Sequence, residues 1–529
     1  MINKSLILIF LFFANPYFIK AQVHQEWMRI YDGGFNDAAK GLAVDGSGNS
    51  FVTGYSYISS SNNDWVTIKY NSSGDSQWVQ RYGGSEADNN IPNSMSMDGS
   101  GNVYVTGTGN SQMTTIKYST SGNQQWIQVY TAAGKLGGFS NAVVNYGSGI
   151  TYAAGATYEI NTSYDCRLIK YNSLGTQQWT QSYLGAEELD DNFNAVAMDA
   201  AGNIYATGYS YEGFTSDYDY LTIKYGPNGN ELWVRKYNGV NNGFDFASAI
   251  AVDNAGNSFV TGAGQGAGSG YDIVTVKYNS SGVQQWVKYF PGPAGASAII
   301  TDDSGNVIVT GSWVAFNEGG NFVTIKYSSN GIQKWAQSYN GPDNSQDFSS
   351  SIALDSLGNV YIGGYSGGNG SELAIVTVKY SNTGVQQWVQ RYTGSENSNS
   401  TLVQVKLDNE NNVYVSGTSS NNYVTIKYSQ TVGISSSSGQ VPEKFSLKQN
   451  YPNPFNPVTH FEFGISELGF VTLKIYNILG KEIETLVSEN KSAGTYSVEW
   501  NAADFPGGIY FYELRVNDYS ETRKMTLLK

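Results

Sequence analysis

Between residues 37 and 428 the chain alternates apolar and polar positions in short runs. In the first such stretch the runs are Gly41–Asp45 (GLAVD), Ser50–Gly54 (SFVTG), Trp65–Tyr70 (WVTIKY) and Gln77–Tyr82 (QWVQRY). A period of two over four to six residues, bounded by Gly, Asn, Asp and Ser, predicts half-buried β-strands joined by tight turns. The pattern returns at regular intervals. Tyr closes the third run at Tyr70, Tyr118, Tyr171, Tyr225, Tyr278, Tyr327, Tyr380 and Tyr428, a period of about 51 residues. Gly closes the second run at Gly54, Gly107, Gly155, Gly208, Gly262, Gly311, Gly364 and Gly417. Four short strands repeated eight times predict an all-β, eight-bladed β-propeller.

Tryptophan spacing predicts how the ring closes. The fourth strand carries Trp78, Trp126, Trp179, Trp233, Trp286, Trp335 and Trp388, but the eighth repeat stops after Tyr428 without one. The missing strand has its counterpart at the other end, where Trp27–Tyr31 repeats the Trp-x-x-x-Tyr form of Trp78–Tyr82. The last blade is therefore expected to combine three C-terminal strands with one N-terminal strand, which removes the exposed sheet edges of an open array.

Two of the four connections in each repeat have fixed length and two vary. From the hairpin residue Asp45 (Asp98, Tyr146, Asp199, Asp253, Asp302, Asp355 and Asp408 in the later repeats) to the second-strand Gly is nine residues throughout. From the third-strand Tyr to the Trp is eight wherever both occur. These turns share one face of an up-and-down blade and read as scaffold, with Asp, Asn and Gly suited to the required backbone angles. The opposite face carries the variable connections, 16 or 17 residues from Gly to Tyr in six repeats and 11 in the second and eighth. Aromatics there make candidate ligand-binding residues of Tyr57, Trp65, Tyr158, Tyr211, Tyr218 and Trp313, because flat rings on a rigid ring suit sugar or peptide recognition.

Other columns read as structure. A lysine precedes each third-strand Tyr (Lys69, Lys117, Lys170, Lys224, Lys277, Lys326, Lys379 and Lys427) and is expected to pair with the hairpin aspartates on the same face. The Asp-x-x-Gly-Asn hairpins lack the distant Glu and alternating oxygens of a calcium loop. Cys166 stands in the third-strand place of Trp65 and is expected to be a packed thiol.

Composition narrows the chemistry. Across 529 residues there are one cysteine and two histidines, His24 and His460, far apart. That excludes an intrachain disulfide, a cysteine metal cluster and a histidine-based triad in the repeats. A net charge of −14 argues against nucleic acid as a partner. No catalytic residue, metal or cofactor is singled out. Asp217, Glu187 and Asp219 lie on variable connections, but nothing pairs them at the ~5–10 Å a carboxylate-dependent glycosidase needs.

The two ends have their own grammar. Residues 1–21 carry Lys4 and the apolar run Ser5–Ala14, the form of a secretory signal peptide, too short for a membrane span. Residues 22–428 form the propeller, with no transmembrane segment, and 429–442 are a Ser/Gly-rich linker. In residues 443–529 the alternation of Val471, Leu473, Ile475 and of Tyr510, Tyr512, Leu514 predicts a small Ig-like β-sandwich after a proline-fixed entry at Pro452, Pro454 and Pro457.

This tail resembles the type A C-terminal sorting domain of the type IX secretion system. The residues that carry the resemblance are Tyr451–Pro457 (YPNPFNP), Leu473–Gly480 (LKIYNILG), Gly494 with Trp500, Gly508–Tyr512 (GIYFY) and Lys524-Met525. It implies a sorting motif that includes Pro452, Asn453, Pro454, Phe455, Gly480, Gly508 and Lys524. It further implies a partner in the outer-membrane secretion machinery of a Gram-negative bacterium, and a protein released or held at the cell surface. The repeats resemble the SBBP β-propeller repeat through their Asp-x-x-Gly-Asn hairpins and Ile-Lys-Tyr strands; kelch repeats are a weaker match. That resemblance implies a fold and no activity. The expectation is a monomeric, exported, non-enzymatic module binding glycan or another macromolecule. The alternatives are a structural or adhesive surface component, or a carboxylate-dependent polysaccharide hydrolase or lyase.

Overall fold

The computed structural model of the chain describes residues 22–59, 62–83, 90–131, 135–147, 149–159, 163–185, 189–211, 218–266, 270–292, 294–314, 319–368, 372–394, 400–431, 444–491, 493–502 and 505–528. The expected signal peptide and most of the linker lie outside these residues. Two compact units are present, residues 25–429 and a second unit that includes residues 430–529.

The first unit is a propeller. Among the described residues it holds eight four-stranded antiparallel sheets, seven of them from consecutive strands. In repeat one these are Asp37–Val44, Ser50–Ser59, Asn62–Tyr70 and Ser76–Tyr82. The last sheet combines Ser400–Leu407, Val413–Ser419 and Asn422–Thr431 with the N-terminal strand Gln22–Tyr31, which lies beside the third of them. The first strand of every sheet packs on the first strand of the next, and that of the eighth on that of the first.

Alternation explains the cores. Third-strand positions five before the closing Tyr are all buried between blades: Trp65, Met113, Cys166, Tyr220, Ile273, Phe322, Ile375 and Tyr423 are each at most 2% exposed. The scaffold hairpins behave as turn chemistry predicts. Asp199 Oδ1 accepts the N–H groups of Ala201 and Asn203, and its Oδ2 accepts the Asn203 amide at 2.7 Å. The same pattern surrounds Asp45, Asp98, Asp253, Asp302, Asp355 and Asp408.

The lysine column meets the expected pairing in part: Lys224 with Asp199 (3.6 Å) and Lys326 with Asp302 (3.0 Å) form ion pairs. The column also reaches forward. Lys69, Lys117, Lys170, Lys224 and Lys277 donate to a carbonyl in the third-to-fourth-strand turn of the following repeat, at 2.6–3.4 Å. The cross-strand partner of each lysine is the fourth-strand Trp, whose indole N–H donates to that same carbonyl at 3.1–3.3 Å. In repeat six Trp335 takes the Asn382 carbonyl and Lys326 its side-chain oxygen.

The turn that receives this latch is pinned by its glycine. Gly229 has φ +88°, and a Cβ there would stand 2.8 Å from the Trp179 ring. Closure uses the same device across the chain ends, since Trp27 and Lys427 both donate to the Ser72 carbonyl, and a Cβ on Gly74 would meet the Trp27 ring at 2.7 Å.

The second unit is a small sandwich. A three-stranded sheet (Ser446–Leu447, Val458–Ile465, Gly494–Asn501) and a four-stranded sheet (Gly469–Asn477, Glu482–Lys491, Gly508–Val516, Tyr519–Leu527) share one core that includes Phe455, Phe461, Trp500 and Tyr512.

Trp27→Ala removes the latch and the buried ring at the closure. It is expected to destabilise the propeller by about 3–5 kcal/mol in urea unfolding. Gly229→Ala, which forces a Cβ into the left-handed region against Trp179, is expected to destabilise it by roughly 1–3 kcal/mol.

Candidate functional site

The variable face is built from strand ends that run further than the sequence pattern indicates. Tyr57, Tyr158, Tyr211, Tyr218 and Trp313 all lie on strands, at the tips of the second-to-third-strand hairpins, and are half-buried. Trp65 is corrected. It is 1% exposed, packs edge-on against Tyr82 at 5.4 Å and donates its indole N–H to the Thr108 carbonyl. The alternation of its strand turns it between blades, so it belongs to the core. Tyr220 is buried for the same reason. The acids Glu187 and Asp217 lie outside the described residues.

The remaining candidates are spread over four repeats, and only Tyr211 and Tyr218 touch, at 5.2 Å. Around them the structure gathers an aromatic cluster. Tyr218 also meets Tyr209 at 5.1 Å, Phe246 at 5.3 Å and, in a stacked arrangement, Phe244 at 5.9 Å. Phe244 and Phe246 are nearly parallel, 5° apart, and Phe244 is 37% exposed. These two residues precede or open the first strand of repeat five, and their Phe-Asp-Phe spacing is the sequence signal that points to them. Elsewhere Tyr158 pairs with Tyr164 (5.3 Å), Tyr57 with Tyr55 (5.7 Å), and Trp313 is tied by its N–H to the Pro291 carbonyl at 3.1 Å.

Buried carboxylates hold this face in shape. Asp245, between the two phenylalanines, is fully buried; its carboxylate accepts the Gly239 N–H at 2.6 Å and the Gln265 N–H at 3.1 Å. Its own N–H donates to the Tyr218 carbonyl of the preceding repeat at 2.6 Å. Asp191 repeats the arrangement with Gly185 and Tyr164, Asp37 with Gly33 and Asn421, and Asp347 accepts the Gly341 N–H. Burial pushes all four carboxyls up, Asp191 and Asp245 to about 6. The hairpin acid Asp199 behaves in the opposite way: burial alone would raise it, but hydrogen bonds from Asn203 and Tyr205 outweigh that and hold it below the ordinary carboxylate range. In each of the four, the Oδ2 atom anchors a turn by accepting a glycine N–H.

Asp219 is buried on the third strand of repeat four. Cys166 is fully buried, and burial pushes its thiol well up, away from the reactive thiolate. Among the described residues no group of three or more His, Cys, Asp or Glu stands where it could hold a metal ion. On the same face a cavity of about 420 Å³ opens between repeats one and eight, with Tyr55, Tyr57 and Lys40 in its wall.

In the tail several motif residues are tied into the fold by hydrogen bonds. Phe455 is buried in the core, its N–H donates to the Thr526 carbonyl, and its carbonyl accepts the Leu528 N–H. Asn453 accepts the Thr526 N–H at 3.0 Å and donates to the Lys524 carbonyl, so Lys524 contributes backbone here while its side chain is exposed. Pro452 offers its carbonyl to Asn450 and Thr459. Gly480 (φ +73°) closes the Asn477–Lys481 turn. Pro454 sits beside Phe455 in the stapled loop, and Gly508 opens the strand Gly508–Val516.

Residues 449–527 match the family model of the secretion system C-terminal sorting domain, and residues 77–112 and 341–370 match that of the SBBP beta-propeller repeat. The chain carries SBBP-type repeats and a secretion-system sorting tail. Such a tail marks proteins exported to the cell surface or secreted by bacteria of the Bacteroidetes type. No curated protein matches the chain. Among solved structures, PorZ, a surface component of the type-IX secretion system of Porphyromonas gingivalis, is 13% identical over 92% of this chain and 74% of its own, with a TM-score of 0.33. Drosophila Plexin A in complex with Semaphorin 1b is 10% identical over 77% and 88%, with a TM-score of 0.41. A protein of unknown function from Bacteroides caccae is 13% identical over 54% and 93%, at 0.32. At these scores none of them speaks to function.

The raised carboxyls of Asp191 and Asp245 give a pH signature. Their folded pKa of about 6 lies above the ordinary 3.8, so between about pH 4 and 6 the folded chain holds protons that the unfolded chain has released. Stability is therefore expected to rise as pH falls from 7 to 5, on the order of 1–2 kcal/mol per site. Scanning calorimetry at the two pH values checks this. The Tm should be higher at pH 5, and the difference should shrink in the Asp191→Asn, Asp245→Asn double variant.

Proposed function

We propose that the propeller is a non-enzymatic binding module for glycan or another surface macromolecule, delivered outside the cell by the sorting tail. The observation that carries this reading is the aromatic cluster of Tyr209, Tyr211, Tyr218, Phe244 and Phe246, part of it exposed on the variable face. Rings held by neighbours on a rigid sheet lose little conformational freedom on binding, and their faces stack on the apolar faces of sugar rings. Asp191 and Asp245 beside that cluster serve as turn anchors, which favours binding over hydrolysis by these two acids. The secretion machinery is the tail's partner, and the propeller acts as a monomer.

A glycan and polysaccharide array of the purified protein tests the reading. Tyr211→Ala and Phe244→Ala are each expected to weaken binding about tenfold or more, as for an exposed hot spot. Trp313→Ala, on another repeat, is expected to change it less. Binding that survives both cluster variants, or no binding to any saccharide, would reject this assignment.

A further inference from the structure

The first strand of each repeat carries a β-bulge five residues before the hairpin position, and the bulged residues form a column: Lys40, Asn93, Asn141, Asn194, Ser248, Ser297, Ser350 and Val403. From repeat two to repeat seven each one reaches the next repeat. Asn93, Asn141 and Asn194 donate to the carbonyls of Ser140, Phe193 and Ala247 at 2.8–3.0 Å. Ser248 donates to Ala296, Ser297 shares a hydrogen bond with Ser349, and Ser350 donates to Leu402. A belt of side-chain hydrogen bonds thus ties the inner strands together.

The belt is interrupted where the ring closes. Val403 has no donor to offer repeat one, and Lys40 carries the one charge in the column. The 420 Å³ cavity lies at this interruption, with both residues in its wall. That volume falls within the ~300–1,000 Å³ usual for small-ligand sites. The opening has a second cause. The hairpin of repeat eight turns at Ser420 and Asn421, both in the left-handed region, so it stops short beside the longer hairpin of repeat one.

We propose that this seam cavity binds a carboxylate-bearing saccharide, with the Lys40 ammonium on the carboxylate and Tyr55 and Tyr57 as the stacking wall. The inference rests on the reading of the propeller as a glycan-binding module. Lys40 Nζ lies 5.7 Å from the centre of the Tyr55 ring, and it forms no ion pair among the described residues. It is the only cationic residue among those lining the cavity. Tyr55 and Tyr57 meet edge to face, 81° apart, and both line the cavity. The cavity's one acid, Asp37, is 1% exposed, and its Oδ2 accepts the Gly33 N–H. Thr401, Thr418 and Asn421 supply the polar rim.

A peptide added as a strand fits less well. The N–H groups of Asp37, Ala39 and Leu42, which such a strand would need, are already donated to Asn421, Thr418 and Gln404 of repeat eight.

Titration calorimetry of the whole protein with oligogalacturonate and with its neutral methyl ester tests the proposal. The acid form is expected to bind at least tenfold more tightly than the ester, with the difference falling as salt is raised. Lys40→Met should erase that preference while leaving the Tm unchanged. Val403→Asn, which supplies a donor toward repeat one, should weaken both ligands. Equal binding of acid and ester, or a preference that survives Lys40→Met, overturns the seam assignment. An acidic peptide that competes at the same site with equal strength also overturns it. If neutral glycans bind in a Tyr211-dependent way while oligogalacturonate does not, the seam fails and the module stands; if no saccharide binds, both fail.

Discussion

One hydrogen bond organises the ring: a tryptophan indole N–H given to a carbonyl in the next repeat's outer turn. The lysine beside it takes the same carbonyl or its side chain, and the glycine of that turn lets the chain come within van der Waals distance of the indole. The pair works because it crosses between sheets rather than within one. Strand pairing alone would give independent four-stranded ribbons, whose faces would need burial from elsewhere. The latch sets the angle at which each ribbon meets its neighbour, and the buried third-strand column fills the space that this angle creates.

With one face committed to latches and Asx turns, the other is free to differ from repeat to repeat. In four repeats a buried aspartate accepts a loop N–H there, and in three of these its own N–H reaches the preceding hairpin. Such an anchor lets the hairpin tips change length and side chains without losing position. The aromatic cluster at repeats four and five and the cavity at the seam are two outcomes of that freedom.

Much of this was legible in the chain because a period of two and a period of about 51 are properties of single residues and their spacing. Strands, ring closure through Trp27 and the tail's sandwich follow from them. What stayed hidden depends on neighbours that spacing does not reveal. Trp65 opens the third predicted run, yet the strand begins before it at Asn62 and the side chain turns inward. The lysines have aspartates on their own face, but the carbonyl one repeat ahead, which spacing along the chain does not reveal, takes them as well. The bulge column was present in the letters, always five before the hairpin position. Its meaning emerges only when the register shift at each first strand is known.

The cut between the third and fourth strands of the last sheet makes chain length itself a checkpoint. Residues 27 and 428 lie some four hundred positions apart, so the ring stays unsealed until nearly the whole propeller has been synthesised. A prematurely ended product would keep an unpaired strand edge and an uncovered inner sheet, the surfaces that invite aggregation and proteolysis. Only a finished ring hides them, and the sorting tail is encoded downstream of the last strand needed to finish it. Any chain that possesses the export address therefore also possesses every strand of the propeller.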